Sequence, residues 1–320
     1  MSALVGHDQA WREWDEALES ARMHHAWLLA GPKGLGKGLF ARAAAARLVA
    51  EPGLPQPDPD HHPDIIVLDH LPANETEEEK KAEGKPYQTR RNITIEQVRR
   101  MQHRLTTRPT LGSRRAVIID PADDLEKNAA NALLKSLEEP PVGTFFLLVA
   151  HRPGRLLPTI RSRCRMVRFQ PLGDAEVERV LRHEAPEASE LARTAAIAAA
   201  EGSPGAALAF LAHDLGALHG LMRQLVRDGD EHFALRGALA EELGARPDRE
   251  RQIAMVDLAR AVVAAELAGG NRDRQERVIA AHGELVRIAA QAPTYNFDPA
   301  LLVLEIGALL ASLAMPREAA

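Results

Sequence analysis

Cysteine is almost missing from this 320-residue chain, and Cys164 stands alone. An internal disulfide is thereby excluded, as is a four-cysteine zinc site. A reducing, cytoplasmic setting is the simplest expectation. Aromatic residues are scarce as well, with 3 Trp, 2 Tyr and 7 Phe inside an apolar share of 45%. The core must therefore be built mostly from Ala, Leu, Val and Ile, which favours helices. There is no excess of positive charge: 40 Lys and Arg face 45 Asp and Glu, a formal net charge of −5. A protein that coats nucleic acid by bulk electrostatics is excluded. Apolar runs are broken by charge before they reach the ~18 residues of a membrane-spanning helix, so no membrane association is expected. The N-terminal stretch carries Asp8, Arg12, Glu13 and Asp15 and offers no apolar targeting segment.

What the chain does contain is an alternation of helix and strand signals followed by a long helical tract. At about 150 residues per domain, its length predicts two or three domains. Trp11, Trp14 and Leu18 share one helix face by spacing. The runs His25–Ala30, Ile65–Leu68, Ala116–Asp120, Phe145–Val149 and Met166–Phe169 read as strands, and helices are predicted over 39–50, 95–105 and 125–139. Strands that are apolar throughout and alternate with helices predict a parallel sheet covered on both faces. The charge run Glu75–Lys81 is expected to be a mobile loop. Beyond Pro171 strand signals stop. Residues 174–211 are expected to be helical with a break at Gly202-Ser203-Pro204-Gly205, and 214–320 all-helical, which places boundaries near 171 and 214. The face formed by Leu301, Leu302, Ile306, Leu309 and Leu313 fits either an oligomer contact or internal core.

Four groups of residues bear on chemistry. Gly31-Pro32-Lys33-Gly34-Leu35-Gly36-Lys37-Gly38 fits G-x-x-x-x-G-K between a strand and a helix. Backbone N–H groups of such a loop surround a phosphate and the lysine adds charge; without a ligand it is a tight strand-to-helix turn. The Ser or Thr that ordinarily follows, and holds Mg²⁺, is replaced by Gly38. Asp120 ends a buried strand, where a phosphate-loop enzyme holds its metal, yet Pro121 follows where an acid would polarise water. Asp123 and Asp124 fit a capping turn as well as a metal contact. The segment from Arg152 to Arg168 holds six arginines and no acid. It fits a solvated basic face, or a guanidinium offered in trans to a neighbour's phosphoryl group. Asp58, Asp60, His61, His62, Asp64 and His70 lie close together in a Pro-rich stretch, but their spacing follows no zinc pattern.

Together these residues resemble the bacterial clamp-loader family of AAA+ proteins. The run Ala129-Ala130-Asn131-Ala132-Leu133-Leu134-Lys135-Ser136-Leu137-Glu138-Glu139-Pro140-Pro141 looks like that family's N-A-L-L-K-x-L-E-E-P-P signature. Ser162-Arg163-Cys164 looks like its S-R-C signature. The resemblance covers about 1–213 by motif, and 214–320 by position and helical composition only. It implies an α/β P-loop (AAA+) domain with a parallel sheet over 1–170. A small helical lid domain over 171–213 and an all-α C-terminal collar domain over 214–320 would follow. It further implies a place in the DNA polymerase III clamp loader. The partners would be the gamma/tau and delta subunits, and the complex would bring in the sliding clamp and primed DNA.

Within the family, the loop defects point to a non-hydrolysing subunit. Gly31, Pro32, Gly34, Gly36, Lys37 and Asp120 would form a degenerate nucleotide site. The stretch Gly202–Leu208 lacks the arginine with which hydrolysing relatives sense nucleotide, and Ala150-His151 stands where they offer hydroxyls. Arg163 would be the trans arginine finger for the adjacent gamma/tau subunit, with ATP and Mg²⁺ held by the neighbours. Many members carry four zinc-holding cysteines in the insert matching 51–64; this chain has none there, so zinc is not expected. The rival reading is a self-sufficient ATPase, a gamma/tau-like motor or helicase loader. Lys37, Asp120 and the surviving glycines favour it; Gly38 and Pro121 oppose it. A stand-alone phosphate-loop kinase is opposed by the S-R-C run and the long helical tail.

Overall fold

The structure is a computed structural model that describes residues 4–20, 22–51, 53–54, 56–268, 271–291 and 297–314. The chain divides into two compact units, Met1–Pro171 and Leu172–Ala320.

The first unit is a doubly covered parallel sheet. Its strands are β1 (Ala26–Ala30), β2 (Ile65–Leu68), β3 (Arg115–Ile119), β4 (Thr144–Ala150) and β5 (Arg165–Arg168). They run parallel in the order β2-β3-β4-β1-β5. Strand side chains alternate between faces, so each apolar run feeds two cores. Ala26 and Leu28 of β1, Val117 and Ile119 of β3, and Phe146 and Leu148 of β4 enter one core. There they meet α4 (Ile95–Arg104) through Val98 and Met101, and α5 (Lys127–Glu138) through Leu133 and Leu137. Trp27, Leu29, Ile118, Leu147 and Val149 enter the other, against α1 (Asp8–Glu19) and α2 (Lys37–Val49). Trp14 of α1 meets Trp27 edge-on with ring centroids 5.1 Å apart. The α/β architecture with a parallel sheet, read from continuous apolar strands, is the one observed.

Two local expectations are corrected. Residues Glu75–Ala82 form a helix, α3, and not a mobile loop. Asn74 caps it by accepting the Glu77 N–H. The Glu77 carboxylate accepts the Gln88 N–H at 2.6 Å and the Lys80 ammonium at 2.7 Å. A bridge between Pro72 and Thr89 closes the base of this insert. Acids in the first turn and lysines in the last also suit the helix dipole. The tract from Asp174 to Ala212 is three helices, α7 (Asp174–Glu184), α8 (Glu190–Ala200) and α9 (Pro204–Ala212). Ser189 and Ser203 restart the chain as N-caps, accepting from the Ala192 and Ala206 N–H groups.

Before β5 the first unit carries α6 (Pro158–Arg161). The second unit continues with α10 (Gly216–Asp228), α11 (Ala234–Leu243), α12 (Arg249–Ala265), α13 (Arg272–Gln291) and α14 (Pro299–Ala311). The stretches 171–213 and 214–320, read above as a lid and a collar domain, contribute among the described residues to one hydrophobic core running from Leu172 to Leu313. Leu302, Ile306 and Leu313 are internal to it, while Leu301 and Leu304 face outward at 66% and 45% exposure. Among the described residues no single helix is long and apolar enough to cross a membrane.

Candidate functional site

The glycine-rich turn leaves β1 and enters α2, as the G-x-x-x-x-G-K spacing requires. Gly31 passes so close to the sheet that a Cβ there would lie 2.5 Å from the Phe169 carbonyl oxygen. Gly36 begins α2 at φ +80°, a left-handed conformation that suits glycine. The N-terminal segment lies over this turn. The His7 ring nitrogen Nε2 is 2.7 Å from the Leu35 carbonyl, and Leu4 packs against Gly36.

Lys37 is 2% exposed. Its ammonium donates to the loop's own Pro32 carbonyl at 2.6 Å. Burial pulls its pKa down to about 8, against the opposing charges of Asp120 and Asp123. The Asp120 carboxylate is pushed up by burial and held back by Arg42, whose Nη1 lies 3.7 Å away. Arg42 also donates from Nε to Asp60 at 3.0 Å, so this side chain crosses from α2 to the Pro-rich stretch.

Gly38 is the decisive position. A Cβ added there would collide with the Asp120 Oδ2. The space that the hydroxyl-bearing residue fills in a working phosphate loop is taken here by a carboxylate. Lysine, aspartate and glycine are mutually adjusted: each is satisfied or crowded by this chain's own atoms.

The acidic turn after Asp120 serves structure. The buried Asp123 carboxylate accepts the backbone N–H groups of His151 and Arg152 at 2.9 and 3.1 Å, capping the turn after β4. Asp124 lies 3.3 Å from His70 Nε2. Burial lowers the His151 pKa to about 4, and Lys37 adds to the effect.

The His/Asp group between 58 and 70 is dispersed. Asp64 is fully buried and accepts the Thr110 and Leu111 N–H groups, each at 2.7 Å. It also faces Arg115 at 3.4 Å. His62 contacts the Gln56 side chain and the Asp64 N–H. Among the described residues, no group of three or more His, Cys, Asp or Glu is placed to share a metal ion.

The six arginines do not form one face. Arg165 stacks over Trp27, 4.8 Å from the ring centroid. Arg152 lies 3.8 Å from Asp123. Arg163 follows α6 and its C-cap Ser162. Its guanidinium does not stand free: Nη2 is 2.6 Å from Glu138 Oε1 and Nη1 donates to the Thr159 carbonyl at 2.9 Å. Its side chain is 34% exposed. Cys164, beside it, is partly buried against the first of the two cores, and burial pushes its thiol pKa up to about 12.

Sequence reasoning missed Arg42 and Glu138. Arg42 carried no local signal. Glu138 was in view inside the N-A-L-L-K-x-L-E-E-P-P run, but nothing in the sequence pairs it with a residue 25 positions later.

The family described as DNA polymerase III, delta subunit, matches residues 6–173. The chain belongs to this family. It is similar to the DNA polymerase III subunit delta' of Pseudomonas aeruginosa, 37% identical over 167 residues, covering 47% of this chain and 46% of that protein. The delta' subunit of Escherichia coli K12 is 31% identical over 209 residues, covering 62% and 58%. The tau subunit of Escherichia coli K12 is 29% identical over 180 residues, covering 56% of this chain and 27% of tau. The chain thus matches about half the length of its delta' relatives. A DNA polymerase III gamma subunit-related protein of Thermotoga maritima superposes over 95% of this chain at 18% identity, with a TM-score of 0.49.

Proposed function

We propose that the chain is a non-hydrolysing, delta'-type subunit of the DNA polymerase III clamp loader. In this reading it works beside gamma/tau and delta subunits, and the complex places the sliding clamp on primed DNA. ATP and Mg²⁺ act in the neighbouring subunits, and this chain completes an adjacent site with Arg163. The helices over 171–213 serve as a lid, and those over 214–320 as a collar.

The observation that carries the reading is the closed phosphate loop. Lys37 is spent on Pro32, and Asp120 fills the space beside Gly38. To accept a triphosphate, the loop would have to break a buried charged hydrogen bond and move a half-buried carboxylate. Arg163, by contrast, holds two surface contacts that a more highly charged anion can displace. A guanidinium supplied in trans stabilises charge on the transferring phosphoryl group and is worth ~10³ or more in hydrolysis. The test is Arg163→Ala in the assembled complex. ATPase is expected to fall by that factor while the mass of the intact complex is unchanged. An undiminished rate removes the proposed role.

The similarity to tau favours one second reading, a self-sufficient ATPase. Titrating the isolated chain with labelled ATP and Mg²⁺ separates the two. Micromolar binding with turnover supports the motor.

A further inference from the structure

We propose that Glu138 is the resting partner of Arg163, a positioning residue whose carboxylate competes with a neighbouring subunit's triphosphate for the same guanidinium. The inference rests on the trans-arginine reading and adds to it a residue that sets how readily the arginine is released.

The argument begins with what fixes the two backbones. Helix α5 ends at Glu138, and Pro140-Pro141 prevents its continuation. Leu133 and Leu137 on its inner face are buried in the same core as Ile160 of α6. These apolar contacts dock α6 beside the end of α5. The geometry then brings Arg163 Nη2 to 2.6 Å from Glu138 Oε1, while Nη1 rests on the Thr159 carbonyl. Because α5 and α6 are already held by buried side chains, the ion pair is not needed to keep them together.

A second arginine–carboxylate pair in the same unit shows what a permanent pair looks like. Arg115 and Asp64 are 4% and 1% exposed. Arg115 donates to the Arg104, Thr107 and Arg108 carbonyls, and Asp64 accepts two backbone N–H groups. Nearly all of that pair's polar capacity is consumed inside the fold. Arg163 and Glu138 are 34% and 48% exposed, and they share only one ion-pair contact plus one helix-end carbonyl. Exposed pairs of this kind are weak and screened by salt. A polyphosphate presents more charge and several oxygens in the fork geometry that a guanidinium matches. Such a ligand therefore displaces Glu138 at a small cost, and the size of that cost sets the readiness of the arginine.

The test uses the clamp-loader complex reconstituted with wild-type chain, Glu138→Gln, Arg163→Ala and the double variant, with ATPase measured against ATP and salt. Removing the competing charge is expected to raise ATPase two- to fivefold at sub-saturating ATP. The gain shrinks as salt is raised, because the wild-type pair is then already screened. It vanishes in the Arg163→Ala background, which a merely structural role for Glu138 would not produce. Glu138→Ala serves as the second variant should the glutamine form fail to assemble. If both Glu138 variants match wild type or are slower while Arg163→Ala remains slow, the competition is overturned and the trans-arginine reading stands. If Arg163→Ala is as fast as wild type, both fall.

Discussion

Two cations of the first unit, Lys37 and Arg163, make opposite use of their surroundings. Lys37 sits in the motif that elsewhere grips a phosphate, but it is buried and donates a hydrogen bond to a carbonyl five residues back. Arg163 sits in a short turn before the edge strand β5, a third exposed, with a partner that a stronger anion can replace. A motif match alone would rank Lys37 as the active cation. Burial and bonding reverse the order: the lysine has become part of the core, and the arginine is the cation still in reach of another molecule. The largest effect that can break this contrast is the one expected for Arg163→Ala, a loss of ~10³ in the ATPase of the assembled complex. If Lys37→Ala were to cost the complex as much, the two cations would not differ in the way argued.

The next effect lies on the lysine side and is read through pH. Lys37 has a pKa of about 8 in the fold, against 10.5 when unfolded. Between these values the unfolded chain binds more protons, so stability rises with pH. The penalty of burying the charged form is present in full below pH 8 and is relieved as pH climbs to 10.5. At 1.36 kcal/mol per unit, the relief is at most about 3 kcal/mol. Urea unfolding of wild type and Lys37→Met across pH 7–10.5 isolates this group. The difference between the two curves should move in favour of wild type as pH increases. A flat difference would mean that the ammonium is solvated and the loop open.

Gly38 gives a smaller effect of the opposite kind to the usual one. In an open helix position, Gly→Thr stabilises by a few tenths of a kcal/mol. Here the new Cβ would run into the Asp120 carboxylate, which is held near Arg42. Gly38→Thr is therefore expected to cost about 1–3 kcal/mol, the range for overpacking a filled site. Thermal melts measure it. Restoring the consensus hydroxyl is also expected to leave the isolated chain without ATPase, because the Asp120 carboxylate must be displaced to admit it and Lys37 stays bonded to Pro32. A stabilised, ATP-hydrolysing Gly38→Thr chain would show that the loop had been one residue away from working.

The sheet was legible because its strands are short, continuous and apolar, and alternate with helices. Helix α3 was not, because its stability comes from Asn74, a buried Glu77 and its base bridge, and not from an apolar stripe. Asn74 followed by acids and then lysines is a start-and-stop pattern that weighing caps above composition would have caught. At the site, Lys37, Gly38, Asp120 and Arg163 were all found by motif. Where their side chains point was not legible. The carboxylate beside Gly38 and the pairing of Arg163 with Glu138 depend on contacts between segments far apart in the chain, and the turn of Lys37 onto Pro32, five residues back, depends on how the loop itself closes.

The smallest expected effect sharpens the contrast most finely. If the Arg163–Glu138 pair is there to be exchanged and not to hold the fold, breaking it must be almost free in the chain alone. A pair with partners 34% and 48% exposed belongs to the class worth about 0.2–1 kcal/mol. Glu138→Gln should therefore shift urea unfolding of the isolated chain by no more than about 1 kcal/mol, and by less as salt increases. Asp64→Asn is the matched control within the same unit. It removes the charge of a pair whose members are 1% and 4% exposed, and losing one partner of a buried pair costs about 3–5 kcal/mol. Both substitutions remove one carboxylate facing one guanidinium, but Asp64 also accepts two backbone N–H groups, so their difference measures burial together with those hydrogen bonds. Equal costs would place Arg163 among the structural arginines, with a pairing too strong for a passing phosphate to undo.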